Sequence, residues 1–310
     1  MSEDYWASAA GTREAEKVFD VLEHGGDLRR VAPRRVGGRV DLRGLESQAH
    51  RSDSVLVSAA NLALKDIDFT GSSIPGLQLE RATVSNCVFD YANIDGMECR
   101  GTDFEQCSFT KASLRNAQLS TPSDKKYSVF TRVSFSRTDL RGAGCQDASF
   151  DHVTFDKASL GAISFRGSNF IECTFSGTLQ KVVFWNISMT GRKVPSNSMD
   201  GVDFTAATLR DVEFRGIDLS RVTLPEGDPH VTVGNYGCTM EKAINMLPVK
   251  DQPFTYGLRA YLAAELRLSH PQREKGIWHR SSLGKTPEEQ QFAISTLRQA
   301  ERACNCAESS

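Results

Sequence analysis

The sequence predicts an all-β solenoid core flanked by an N-terminal capping segment and a C-terminal α-helical extension. Two observations carry the core. An apolar residue recurs every five positions through the middle of the chain, and the residue two before it is small or apolar. Phe is abundant, 17 in 310 residues, and falls largely on that beat. A five-residue period fits neither regular element, because a 3.6 period drifts off register and a period of two alternates faces. It suits a chain that turns a corner in every unit, points two side chains inward and stacks its windings around one continuous core.

Residues 1–59 precede the regular beat. A helix is expected over 12–24 with Val18, Phe19 and Leu22 inward, and Val40 and Leu42 begin a first imperfect winding. Such a segment covers the open end of a solenoid, whose backbone edge otherwise invites association. Residues 29–39 hold five Arg; with no aromatic residues interleaved, they read as an exposed basic turn and not as a phosphate site.

Residues 60–225 carry the repeat. Its centres run from Leu64, Phe69, Ile74, Leu79 and Val84 to Leu119, resume at Phe130 through Phe175, and continue from Phe184 to Leu224. Leu119 to Phe130 is eleven residues, read as one inserted residue, and Phe175 to Phe184 is nine, read as one missing, with Leu179 the displaced centre. Because a packed interior has no slack, the insertion is expected to protrude at 122–127, with a second protrusion at 191–197.

The units ANIDG, ASLRN, TDLRG, ASFDH, ASLGA, SNFIE and VDFTA carry Ala, then Asp or Asn, then Leu or Phe at matching places. In this the segment resembles the pentapeptide repeat proteins. The resemblance implies a right-handed quadrilateral β-helix with four units to a coil, here about eight coils and about 38 Å long at about 4.8 Å per coil. Columns of like residues should then recur every twenty positions. One expected column is Phe69, Phe89, Phe109, Phe130, Phe150, Phe170, Met189, Leu209; its neighbour is Ile74, Ile94, Leu114, Phe135, Phe155, Phe175, Val194, Phe214.

Residues 226–310 lose the beat and read as helical. Helices are expected over 237–247, 253–269 and 285–303, the second with Leu258, Tyr261, Leu262 and Leu266 on one side. The third opens on a capping box of Thr286 and Glu289 with Pro287 at its first position, and Phe292, Leu297 and Ala300 form its apolar stripe. Residues 270–284 read as an exposed connection, and Cys304 and Cys306 fall in a frayed tail. Two roles stay open for these helices: an end cap alone, or a cap that also holds a partner or a second copy in a homodimer.

The chemistry expected is binding. With 37 basic against 39 acidic residues the net charge is −2, which excludes a generic polybasic nucleic-acid binder. No run approaches the roughly eighteen apolar residues of a membrane span, the first residues lack a secretory pattern, and the eight scattered Cys give no reason to invoke an oxidising compartment, so the cytoplasm is the expected location. The six His lack metal-ligand spacing, and no phosphate loop, dinucleotide fingerprint or nucleophile elbow is present. No catalytic residue, cofactor or metal is therefore expected.

The resemblance implies a partner class, because well-known members bind DNA gyrase and related type II topoisomerases as mimics of duplex DNA, and some confer fluoroquinolone resistance. Between residues 60 and 225, however, 19 acidic side chains meet 18 basic ones. The expected outward column Glu80, Arg100, Ser120, Arg141, Gly161, Asp200 mixes signs, where a mimic of phosphates needs an acidic stripe. The expectation is thus a non-catalytic scaffold, an immunity or self-protection protein, with a gyrase-binding mimic as the alternative and a C-terminal enzymatic activity as the minor one. The candidate interface comprises Trp185 and Ile171, the insertion residues Pro122, Asp124, Lys125, Lys126 and Tyr127, and Arg192 with Lys193. Trp185 is either an exposed anchor or packs under a terminal helix.

Overall fold

The computed structural model describes residues 5–47, 57–123, 126–188, 197, 199–248 and 253–308. Its core is a β-rich solenoid. Short strands of three or four residues pair in parallel with strands one winding away, as in Ala63–Lys65 against Thr83–Ser85, and Thr83–Ser85 against Asp103–Glu105. The central residue of each strand points inward and is buried, with its neighbours more exposed. Parallel pairing begins before the regular beat, where Arg39–Asp41 pairs with Ile67–Asp68 and Glu46 bridges Ser73, and it continues at Ser58–Ala60, whose Ala59 stacks on Leu79. Corners fall two residues after each centre. There the backbone takes positive φ even at side-chain-bearing residues such as Asn86, Lys111 and Ala162, which is how a unit of five residues closes a turn.

Three Phe ladders fill the interior, one of them the short stack of Phe165, Phe184 and Phe214 at 5.3 Å. Phe69, Phe89, Phe109, Phe135, Phe155, Phe175 and Phe204 stack successively with ring centroids 4.7–5.4 Å apart. Phe104, Phe130, Phe150 and Phe170 form the second at 4.9–5.2 Å. These separations are close to the strand spacing of about 4.8 Å. Each ring is essentially inaccessible to solvent and contributes roughly 1.5–3 kcal/mol by burial. Hydroxyls on the inner positions two before a centre serve the ladder directly: Thr102 Oγ1 donates to the Leu79 carbonyl and Thr138 Oγ1 to that of Phe109.

The ladders correct the expected columns. Phe104 pairs with Phe130 and Ser113 with Asp139, an offset of 26 residues where an ordinary winding takes 20. The first insertion therefore holds six residues and not one, and every later column shifts by one unit. Phe109 stacks on Phe135, not on Phe130. The missing residue is where it was expected: Phe165 pairs with Phe184 at an offset of 19, and Leu179 is a buried centre aligned with Leu209. After it, Ile171 bridges Asp200, which makes Met199 the centre following Phe184. The expected centres Met189 and Val194, and all of the second protrusion except Asn197, lie outside the described residues.

Helix α1 (Ala9–His24) and helix α2 (Leu28–Val31) cover the first windings, with Val18, Phe19 and Leu22 buried in the solenoid core. The arginines between 29 and 39 are not an idle basic turn. Arg34 lies over the rings of Tyr5 and Trp6 and pairs with Glu14 at 3.2 Å, Arg29 reaches Asp66 at 2.8 Å, and Arg39 donates to the side chain and carbonyl of Asn86. Arg29 and Arg39 thereby tie the N-terminal segment to the windings.

At the other end helix α3 (Tyr236–Met246), helix α4 (Pro253–Leu268) and helix α5 (Pro287–Glu308) enclose a second apolar cluster that includes Tyr236, Met240, Leu258, Leu262, Trp278 and Leu297. The capping box forms, with Thr286 Oγ1 accepting from Glu289 N and Glu289 Oε2 accepting from Thr286 N. Three expectations fail here. Residues 270–284 are no exposed connection, because Gly276–His279 is a buried strand antiparallel to His230–Val233. On α5 it is Ala293, Leu297 and Ala300 that face inward, and Phe292 is exposed. Cys304 does not lie in a frayed tail: it is buried in α5 and joined by a disulfide to Cys238 of α3.

Candidate protein interface

Trp185 ends the strand Val183–Trp185, which pairs on one side with Ser164–Arg166 and on the other with Glu213–Arg215. That register makes Arg166, Trp185 and Arg215 successive outward rungs of one column. The Arg166 guanidinium carbon lies 4.6 Å from the indole centroid and that of Arg215 lies 5.1 Å from it. Each contact is worth about 0.5–1 kcal/mol at a partly exposed site. Glu213 pairs with Arg215, Arg166 Nε donates to the Ile187 carbonyl at 3.4 Å, and the Ile187 side chain beside them is 49% exposed. The indole is thus held between two cations that set its orientation.

The other expected residues do not converge on it. Ile171, 39% exposed, sits in a different sheet as the rung between Asp151 and Asp200. In the insertion, Ser123 and Lys126 exchange both backbone hydrogen bonds as an antiparallel bridge. It lies against the flank of the rod: Ser123 Oγ donates to Glu80, Lys126 Nζ pairs with Asp103 at 2.7 Å, and a Cβ at Gly101 would meet the Lys126 carbonyl at 3.1 Å. Pro122 and Lys126 are exposed and Tyr127 is half-buried; Asp124, Lys125, Arg192 and Lys193 lie outside the described residues.

No group of three or more His, Cys, Asp or Glu among the described residues is arranged to hold a metal. Three of the histidines make local polar contacts. His230 Nε2 accepts from Leu209 N and so satisfies an edge of the last windings, and His279 Nδ1 meets Ser281 Oγ at 2.7 Å; burial lowers both pKa values. His152, on the surface, lies between Asp151 at 2.6 Å and Glu172 at 2.9 Å, and the Asp151 hydrogen bond raises its pKa. No helix among the described residues is long and apolar enough to cross a membrane.

Comparison with known proteins places these features. Residues 87–121 and 148–179 match the model of pentapeptide repeats, in eight copies. Both segments are pentapeptide repeats. No curated protein matches it significantly. Similar solved structures include trypsin-treated QnrB1, a plasmid-mediated fluoroquinolone resistance protein, at 16% identity over 57% of this chain and 90% of that one, with a TM-score of 0.32. Another is HetL of the cyanobacterium Nostoc sp., a pentapeptide repeat protein involved in heterocyst differentiation regulation, at 15% identity over 64% and 90% of the two chains and a TM-score of 0.21.

Within the pentapeptide repeat, the partners of Trp185 escaped sequence reasoning. Arg166 and Arg215 lie 19 and 30 residues away from it, offsets set by the missing residue and by the residues after 188. The expected outward column is likewise replaced: Glu80 does stack on Arg100, but Asp200 aligns with Ile171 in another sheet.

Proposed function

We propose that this chain is a non-catalytic protein-binding scaffold that holds a partner along one flank of its solenoid, as an immunity or self-protection protein would. In this reading residues 60–225 wind as a right-handed quadrilateral β-helix of about eight coils, residues 1–59 cap one end, and residues 226–310 cap the other and are available for dimerisation. The observation that carries it is Trp185 held between Arg166 and Arg215 on an outward column, beside exposed Ile187. An aromatic ring oriented between guanidinium groups has the composition of an interface hot spot. The interior of the windings supports it too, since among the described residues it is filled by the apolar side chains of the Phe ladders. The proposed location is the cytoplasm, where the Cys238–Cys304 disulfide is open to reduction. The test is partner recovery from the native cell: a protein retained by the wild-type chain and lost with Trp185→Ala supports the scaffold, and equal recovery by both removes this surface.

A second reading has one observation in its favour. The corrected register lines up Glu105, Asp151 and Asp200 on one outward column, separated by uncharged rungs. That is the kind of acidic stripe a DNA-mimicking binder of DNA gyrase or a related topoisomerase would present, with resistance to gyrase-targeting agents as the consequence. Each of these acids has a basic neighbour, Arg132, His152 and Arg221 respectively, which weakens the stripe. A supercoiling assay without inhibition or drug protection at micromolar protein would dismiss it.

A further inference from the structure

The register set by the six-residue insertion also assembles a surface that no contiguous stretch of sequence contains. The corner residues of one column are Gly71, Tyr91, Lys111, Arg137, Lys157 and Gly177, linked rung to rung by the hydrogen bonds their N–H groups donate to the next winding. Three cations and a Tyr therefore stand one above another, bracketed by glycines, at about 4.8 Å per rung. All four side chains are exposed, Tyr91 to 58%. Lys111 Nζ donates to Tyr91 Oη at 3.1 Å and lies 4.9 Å from the ring centroid.

None of the three cations has a carboxylate within 4.0 Å among the described residues. Their surroundings differ: Arg115 pairs with Asp95 at 3.1 Å, Arg141 with Asp139 at 2.6 Å and Arg132 with Glu105 at 3.8 Å. The solenoid neutralises those charges rung by rung and leaves this column uncompensated. Its residues also sit at φ of 53–59°, where Gly or Asn would cost less.

We propose that the Lys111–Arg137–Lys157 ladder receives an acidic helix of a protein partner laid along the rod axis, with Tyr91 as the apolar contact at one end. The proposal rests on the scaffold reading and names its partner's chemistry. Spacing selects the helix. Lys111 to Lys157 spans two rungs, about 9.6 Å. One carboxylate per helical turn recurs every 5.4 Å or so, about 10.8 Å over two turns, a mismatch of about 1 Å that flexible Lys and Arg stems absorb. Alternate residues of a strand recur about every 6.7 Å and overshoot by about 4 Å. A continuous phosphate backbone is disfavoured because the column offers three cations to release counterions.

The test uses the full chain and fluorescence anisotropy with two alanine-based helical peptides of identical composition. One carries Glu on a single face, at every third or fourth residue, and the other disperses the same Glu around the helix. The one-face peptide is expected to bind at least ten-fold tighter. The Lys111→Gln/Arg137→Gln/Lys157→Gln chain should lose that preference while keeping its unfolding midpoint. The Lys111→Glu/Arg137→Glu/Lys157→Glu chain should instead take a peptide with Lys on one face. Equal affinity for the two isomers, which requires no variant, overturns the proposal; so does unchanged binding by the Gln variant. Tighter binding of a single-stranded oligonucleotide that depends on the same three residues also overturns it, by replacing the protein partner with nucleic acid. A partner recovered through Trp185 but indifferent to the ladder variants leaves the scaffold reading standing and this one refuted.

Discussion

The six-residue register is open to a double-mutant cycle. Phe109 and Phe135 stack at 5.2 Å with their planes 18° apart, and both are fully buried. Replacing either by Leu nearly conserves volume and should cost less than about 1.5 kcal/mol, so even the double variant stays folded. The two replacements remove the same stacked contact. Their effects should therefore fall short of additivity by about 0.5–1.5 kcal/mol, the usual worth of an aromatic pair beyond its burial. A one-residue insertion would instead stack Phe109 on Phe130. The parallel cycle between those two should show a smaller coupling, because Phe130 stacks on Phe104 and Phe150 and meets Phe109 only through the shared rings of Phe104 and Phe135. The assay is urea unfolding of the six chains by linear extrapolation, with unchanged slopes as the check on two-state behaviour. A larger coupling for Phe109 with Phe130 than with Phe135 would refute the register, and with it the Lys111–Arg137–Lys157 column.

Three further outcomes follow from named contacts. The disulfide closes a loop of 66 residues and by chain entropy is worth about 4 kcal/mol or less; Cys238→Ser should loosen α5, and iodoacetamide should label Cys306 alone in the native chain but also Cys238 and Cys304 after mild reduction. Cys145 and Cys173 should stay unlabelled in both, since burial pushes each thiol up to about 12. For His152 the folded pKa is raised, so its pairing with Asp151 and Glu172 stabilises the fold below about pH 6.5 and is lost as pH rises through the folded value; the wild type should outlast His152→Asn in thermal unfolding at about pH 6, and the two should converge by about pH 9. Arg273 is buried and donates to the carbonyls of Phe214 and Lys275, closing the last winding; Arg273→Met should cost about 2–4 kcal/mol and, by uncovering the strand edge, produce concentration-dependent association in light scattering.

The solenoid was legible because its signal is local and repeated. Each unit carries its own buried centre, so Phe104 or Phe150 declares itself from five residues of context, and the capping box at Thr286 and Glu289 needs only four. The strand Gly276–His279 was hidden for the opposite reason. Its partner His230–Val233 lies far back in the chain, and four residues set among charged neighbours show no period. The pairing of Cys238 with Cys304 likewise depends on how α3 meets α5. The interface around Trp185 was half visible: an aromatic residue at an outward position can be read from the repeat, but Arg166 and Arg215 become its neighbours only through stacking.

The sequence by itself determined that the chain winds, where its windings lie and which residues fill them. Tertiary structure alone decided which winding residue sits above which. With a period of five, an insertion of one residue and an insertion of six return the beat to the same phase, so no reading of periodicity separates them. They differ only in the side chains they stack, and the strand pairing settles it, with Phe104 on Phe130 and Phe109 on Phe135. Everything that depends on vertical neighbours follows from that choice: the held indole, the acidic column and the basic ladder.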